Sequence, residues 1–210
     1  MNYQSELEKI LAKDSEQGKK VLLHSCCAPC SSYVLTYLRQ YFRVTVFYYN
    51  PNITADGEYH KRVEEQKRLI ARLNEEGGGY SIDFIEGDYE PESFLSLVKG
   101  YENCPEGGER CKLCFGQRLE TTAILAKNKE FDYFATTLTV SPLKNAAVLN
   151  ELGLALAVQY GVSYLVSDFK KKNGYKESIE LSKQYDLYRQ DYCGCAFSKA
   201  ERERQKHGVL

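Results

Sequence analysis

The sequence predicts an α/β fold: one parallel sheet with helices packed on both faces. Three observations carry the prediction. Short apolar and β-branched runs alternate with longer stretches of helical periodicity, the order expected of strand–helix–strand units. A chain of 210 residues suits one domain with its own core. The segments after the apolar runs, CCAPC, NPN, TVSPLKN and DFKK, hold most of the reactive and polar motifs. That is where an open parallel sheet binds ligands, beyond the carboxyl ends of its strands.

Taken in order, residues 1–20 read as a helical N-terminal extension. VLLHS (21–25) is a short buried strand, and APCSSYVLTYLRQ after it is helical. RVTVFYYN (43–50) is β-branched and aromatic, and it stops at the turn signature NPN. GEYHKRVEEQKRLIARLNEE places Tyr59, Val63, Ile70 and Leu73 on one helical face and offers Glu58/Arg62 and Glu64/Arg68 as i,i+4 pairs. GGG (77–79) ends that helix before a third strand, YSIDFIEG. FDYFATTL (131–138) and VSYLV (162–166) are further strands, separated by the helical KNAAVLNELGLALAVQYG. No repeat, low-complexity tract or linker interrupts the chain. Residues 1–210 are therefore expected to form a single domain, with 197–210 as a C-terminal helix and tail.

With 43% hydrophobic and 27% charged residues, the composition is globular rather than disordered. No apolar run reaches the roughly 18 residues of a membrane span, and the N-terminus lacks the apolar core of a secretory signal. A cytoplasmic protein with no membrane association is expected. A net charge of −1 excludes a generic polyanion binder but leaves room for a local basic patch.

The eight cysteines are too sparse for a disulfide scaffold and, in a reducing compartment, point to metal or redox chemistry. They form three groups: Cys26, Cys27 and Cys30; Cys104, Cys111 and Cys114; Cys193 and Cys195. The pair Cys111 and Cys114 opens a helix, where end amides favour the thiolate. Zinc and iron–sulfur clusters both take thiolates. Adjacent side chains are expected to diverge, which suits the corners of a 4Fe-4S cluster better than one tetrahedral ion, so Cys26, Cys27, Cys111 and Cys114 are the expected ligands. Cys193 and Cys195 are expected to cycle between dithiol and disulfide, or to chelate metal when reduced, with burial as small apolar groups the alternative. Cys30 and Cys104 are either second-site ligands or inert; of the two, Cys30 is the expected ligand of a second metal.

Beyond the sulfurs, Ser141 is expected as an N-cap, Pro142 at the first helical position and Lys144 in the first turn. Such a helix start suits a phosphate, although the same pattern serves an ordinary capped helix. Lys170, Lys171, Lys172 and Lys176, with further cations in RERQK (202–206), are expected to contact a nucleic-acid backbone, with a solvated face as the alternative. Tyr49 and Asn50 are expected to touch substrate. Asp88, ending the third strand, is expected to supply a proton or an oxygen ligand; Tyr192 and His24 are further proton-donor candidates.

With these stretches in view, LLHSCCAPCSS, YNPNI, ERCKLCFGQRLE, TTLTVSPLKN and DFKKKNGYKESIELSKQYDLYRQDYCGCAFS together resemble the cobalamin-independent epoxyqueuosine reductases (QueH), from about residue 20 to 200. The resemblance implies reduction of the epoxide of epoxyqueuosine in the tRNA anticodon to give queuosine. It also implies a nucleotide-hydrolase-like (HUP-like, Rossmann-like) fold whose phosphate loop is replaced by cysteines. In that family pattern a 4Fe-4S cluster falls on Cys26, Cys27, Cys111 and Cys114, an additional mononuclear iron lies beside it, and Cys193 and Cys195 are redox-active or metal-proximal. The electron donor is not named by any motif. Two other classes remain open on the residues alone: a zinc-stabilised RNA-binding module, and a cluster-free thiol–disulfide reductase using Cys193 and Cys195.

Overall fold

The computed structural model of the protein describes residues 1–206, so residues 207–210 of the expected C-terminal tail lie outside the described residues. Five strands, β1 (Lys20–His24), β2 (Arg43–Tyr48), β3 (Asp83–Glu86), β4 (Tyr133–Thr136) and β5 (Ser163–Tyr164), form one sheet in the spatial order β3-β2-β1-β4-β5. Every pairing is parallel; Lys20 lies opposite Arg43, and Val21 opposite both Val44 and Tyr133. Helices make each crossover: α2 (Ala28–Leu38), α3 (Asp56–Glu76), α4 (Pro91–Leu97) with α5 (Glu109–Asn128), and α6 (Ala146–Tyr160). Helix α1 (Tyr3–Leu11) precedes the sheet, and α7 (Gly174–Gln184) and α8 (Ala196–Lys206) follow it.

The central strand explains why the sheet is covered on both sides. Val21 and Leu23 enter one core with Val34, Leu35, Leu69 and Ile70 of α2 and α3. Leu22, between them, points into a second core with Leu119 and Ala123 of α5 and Leu149 of α6. All three strand residues are fully buried, each contributing about 1.5–3 kcal/mol relative to an exposed side chain. Among the described residues, no helix is long and apolar enough to cross a membrane.

The order of the strands also locates the ligand crevice. The chain leaves β1 toward β2 on one side and later returns to β4 on the other, so the connections diverge between β1 and β4. A crevice opens at such a switch point, beyond the carboxyl ends of the two strands. Cys26 and Cys27 follow β1 directly, and the 3-10 turn Thr137–Val140 follows β4.

Several local expectations need correction. Helix α6 starts at Ala146 with Asn145 as N-cap, whose Oδ1 accepts from the N–H groups of Ala147 and Val148 at 2.9 and 3.4 Å. Ser141 caps only a turn, accepting from the Leu143 N–H at 3.3 Å. Asparagine caps as well as serine, and Asn145 stands directly before the apolar run AAVL. Strand β5 is two residues long rather than five. On α3, Tyr59, Val63, Ile70 and Leu73 are buried as expected. The Glu64/Arg68 pair does not form: Arg68 engages Glu65 at 2.7 Å and the carbonyls of Tyr185 and Asp186, leaving Glu64 to Lys67. The Glu58/Arg62 pair does form, at 2.6 Å, but Arg62 is only 2% exposed and belongs to the site.

Candidate metal centre and active site

The residue after Cys26 is the N-cap of α2, and its extended backbone (φ −175°, ψ 159°) turns the chain into the helix. Cys30, three positions on, comes back over the same helical end. The three sulfurs of Cys26, Cys27 and Cys30 consequently lie within 4.8 Å of one another, with Cys26 and Cys27 3.8 Å apart. The adjacent side chains therefore converge rather than diverge, and adjacency does not disfavour a single ion. Donated S–H bonds from Cys27 and Cys30, aided by Lys144 and Arg118, hold Cys26 well below the ordinary thiol range. Cys27, its proton committed to Cys26, is pushed up to about 11, and Cys30 moves up as well.

A second sulfur group faces the first. Cys193 and Cys195 lie with Sγ atoms 3.5 Å apart, and the Ser198 N–H donates to Cys195 Sγ at 3.3 Å. Gly194 between them has φ +118°, and a Cβ there would stand 2.7 Å from Ile53 Cγ1, so the tight reversal requires glycine. The segment is hooked to the sheet edge by Arg62, which donates to the carbonyls of Cys193 (3.2 Å) and Tyr192 (3.5 Å), and by Asn52 Nδ2, which donates to the Cys193 carbonyl at 3.4 Å. Cys111 and Cys114 lie in the first turns of α5, where the Gly107 N–H reaches Cys111 Sγ at 3.2 Å. Burial outweighs that amide: both thiols are pushed up, Cys114 to about 11, contrary to the thiolate-favouring helix end expected from the motif.

Two adjoining cavities connect these groups. The larger, about 500 Å³, is lined by Cys26, Cys27, Cys30 and Cys193 together with Arg62, Lys144 and Arg189. The smaller, about 20 Å³, is lined by Cys111, Cys114, Cys193 and Cys195. Glu106, Arg118, Leu143, Lys144 and Cys193 belong to both walls. Every cysteine except Cys104 therefore faces one of the two; Cys104 lies on a separate groove beside Arg110 and Phe197. The expected ligands divide between the cavities, Cys26 and Cys27 on the larger, Cys111 and Cys114 on the smaller.

Arg118 ties the two together. Its Nη2 donates to Asn50 Oδ1 at 2.6 Å, its Nη1 approaches Cys114 Sγ at 3.9 Å, and its Nε donates to His24 Nε2 at 3.1 Å. A guanidinium Nε–H is a permanent donor, so His24 Nε2 is an acceptor and its Nδ1–H donates to Thr136 Oγ1 at 3.0 Å. The Tyr49 carbonyl, 3.1 Å from the same Nε2, then receives no proton from it. Burial first, then Arg118, push the imidazole pKa down to about 3. His24 is thus a neutral orienter of Arg118 and not a proton donor.

The remaining expected residues fall differently. Lys144 lines both cavities; burial works against its charge, but the sulfurs of Cys26, Cys30 and Cys193 outweigh that and raise its pKa. Ser141 lines the larger cavity. Asn50 is buried behind the site, donating to the Ser25 carbonyl at 2.8 Å and accepting from Arg118, with no open face for substrate. Tyr49 is buried and stacks on Phe47. Asp88 is exposed and lines neither cavity. The lysine run lies elsewhere too: Lys170 pairs with Asp168 and Lys172 with Glu8, both at 2.5 Å, and Lys171 lines a groove beside α1. Besides Lys144, the cations that reach the sulfur cavity are Arg62, Arg118, Arg189, Arg202 and Lys206. Arg202 and Lys206 belong to the basic stretch RERQK, whereas Arg62, Arg118 and Arg189 were not expected at the site from sequence. Arg118 had a legible signal, since it stands four and seven residues after Cys114 and Cys111 on one helical face. Arg62 had none, because a glutamate four residues earlier reads as an ordinary surface pair.

The donor set suits a soft, thiolate-binding metal or cluster rather than a hard cation. Asn52 Oδ1, buried beside the smaller cavity, has no hydrogen-bond partner among the described residues, which leaves an acceptor oxygen facing that region. The residues present therefore fit such a group. A family model described as epoxyqueuosine reductase QueH matches residues 21–201. The epoxyqueuosine reductase QueH of Streptococcus pyogenes serotype M1 is 43% identical over 193 residues, covering 92% of this chain and 75% of the relative. That of Staphylococcus epidermidis is 44% identical over 202 residues, covering 94% and 84%; that of Thermotoga maritima is 38% identical over 192 residues, covering 90% and 95%. Among solved structures, an NMN synthetase from Francisella tularensis aligns with a TM-score of 0.48 and 12% identity, over 99% of this chain and 81% of the other. On the match across residues 21–201 and relatives of 43–44% identity, the chain belongs to the epoxyqueuosine reductase QueH family.

Proposed function

We propose that this chain reduces the epoxide of epoxyqueuosine in tRNA to give queuosine, using an iron–sulfur cluster held by its cysteines. The observation that carries the reading is the convergence of every cysteine except Cys104 on two adjoining cavities at the switch point of the sheet. Removing an epoxide oxygen takes two electrons and two protons and releases water. In this reading Cys26, Cys27, Cys111 and Cys114 hold the cluster, which when bound supplies electrons singly at low potential. One observation favours a second reading of the ligands. The three sulfurs of Cys26, Cys27 and Cys30 lie within 4.8 Å, a spacing compact enough for one mononuclear metal, with Cys30 among its ligands. Cys193 and Cys195, 3.5 Å apart, serve as a dithiol that two-electron oxidation closes to a disulfide.

The walls of the larger cavity suit a nucleotide. About 500 Å³ admits a modified nucleobase but not a duplex, so the base enters turned out of its strand, as an anticodon-loop base does readily. Arg62, Lys144 and Arg189 make the wall positive and draw a polyanion. Tyr192, stacked 5.3 Å from the Arg62 guanidinium, offers an aromatic face to a base. Such a tRNA-modifying enzyme works in the cytoplasm. The test is incubation of the anaerobically prepared protein and a chemical reductant with tRNA bearing epoxyqueuosine, followed by mass spectrometry of the nucleosides. Loss of one oxygen atom supports the reading; an unchanged nucleoside refutes it.

A further inference from the structure

We propose that Glu106 is the catalytic acid, giving its proton to the epoxide oxygen as the C–O bond breaks. The inference rests on the epoxide-reductase reading above. Glu106 stands in the loop Pro105–Gly108 that leads into α5, and among the described residues it is the one carboxylate on the wall shared by both cavities. The other carboxylate on the larger cavity, Asp191, is exposed and paired with Lys206 at 2.5 Å. Glu106 is also built into the sulfur site. The Cys193 N–H donates to Ser198 Oγ at 3.3 Å, and Ser198 Oγ–H donates in turn to Glu106 Oε2 at 3.2 Å. Oε2 accepts that hydrogen bond, and Oε1 is left to carry the acidic proton in this proposal. The Glu106 backbone N–H is tied to Glu201 at 3.1 Å, which fixes the loop against α8.

The other groups at the site are poorer donors. His24 is neutral with both nitrogens engaged, Asp88 lies outside both cavities, and Lys144 holds its proton tightly beside the sulfurs. Tyr192 lines the larger cavity, but burial raises its already weakly acidic phenol further. Burial, and then Cys193, push the Glu106 carboxyl above its ordinary range, while Lys144, Ser198 and Arg202 pull it back. Cys111 on α5 and Glu201 on α8 complete the titratable surroundings. A carboxyl moved in this direction stays protonated closer to neutral pH, which suits general acid catalysis.

The step balances as follows. Two electrons come from the reductant of the reductase reaction. One proton passes from Glu106 to the oxygen as the first C–O bond breaks. A second proton, from solvent, completes water as the remaining C–O bond breaks and the alkene forms; a third returns Glu106 to its acid form, so the net consumption is two.

The experiment compares wild-type protein, Glu106→Gln and Glu106→Asp, each loaded with iron and sulfide anaerobically, on tRNA bearing epoxyqueuosine. The inference expects Glu106→Gln to lower kcat by about 100-fold or more, with KM, iron content and visible spectrum unchanged. It expects Glu106→Asp to recover part of the rate. It also expects the wild-type kcat to fall as pH rises through the acid's pKa, and that limb to vanish in Glu106→Gln. A Glu106→Gln rate within about threefold of wild type overturns the inference, because a general acid contributes far more. So does loss of iron in that variant, which would make Glu106 a ligand. If Glu106→Gln fails to fold, a wild-type kcat that does not fall with rising pH overturns it instead. A wild-type protein inactive on this tRNA overturns the functional reading itself, and the inference with it.

Discussion

Replacing Arg62 by methionine tests whether the sulfur site is held by a buried charge. The side chain is 2% exposed and its partner Glu58 is 14% exposed, at 2.6 Å. It also donates to the carbonyls of Cys193 and Tyr192. Methionine fills much of the volume but leaves the Glu58 carboxylate without its cation. Breaking a buried pair by removing one partner costs about 3–5 kcal/mol. Glu58 keeps the Tyr188 hydroxyl at 3.1 Å and some water, so the low end applies, about 3 kcal/mol. For a domain of this size that lowers Tm by about 6–12 °C. The assay is urea unfolding of the metal-free protein beside Lys67→Met, a control whose pair with Glu64 is 43% and 73% exposed and whose loss costs at most about 1 kcal/mol. An Arg62→Met cost no greater than that of the control would refute the reasoning.

Other perturbations separate the corrected details from the expected ones. Gly194→Ala forces an L residue to φ +118° and a contact of 2.7 Å with Ile53, and should destabilise by about 1–3 kcal/mol in the same unfolding assay; a change within experimental error would show that the reversal tolerates a side chain. Asn145→Ala should cost about 1 kcal/mol by removing the cap of α6, whereas Ser141→Ala should cost little; the opposite ranking in thermal melts would restore the serine as the cap. Arg189→Ala should reduce the salt slope of tRNA binding by about one counterion, while Lys171→Ala leaves it unchanged; equal slopes in filter binding would return the tRNA contact to the lysine run.

The strand–helix alternation was legible because each strand is short, apolar and followed by a polar loop, so β1, β2 and β4 fall where VLLHS, RVTVFYYN and FDYFATTL place them. Of the cysteine groups, only Cys26, Cys27 and Cys30 are placed by that reasoning, because they follow β1 at the edge where loops after parallel strands meet. Cys111 and Cys114 open α5, and Cys193 and Cys195 lie between α7 and α8, so their approach to that edge comes from helix packing. What sequence concealed depends on direction rather than on residue type. Lys170 to Lys172 follow β5, yet their charges turn toward Asp168 and the first helix. Arg62 carries no sign of burial in its own helix, because the Cys193 carbonyl that holds it is 131 residues away. Arg118 shares a helical face with Cys111 and Cys114, but its acceptor Asn50 is 68 residues away. Glu106 sits in a glycine-rich loop of no regular periodicity, and only the closing of α8 over that loop makes it a wall of the site.

The most direct test of the account is the visible spectrum of anaerobically purified protein with iron and acid-labile sulfide counted per chain. The account predicts a brown protein with about four sulfides per chain, the inventory of a 4Fe-4S cluster, and loss of that absorbance in Cys111→Ala. A colourless protein that binds zinc and gains no sulfide on anaerobic reconstitution would contradict it, because the cysteines would then close a structural site with no electrons to give.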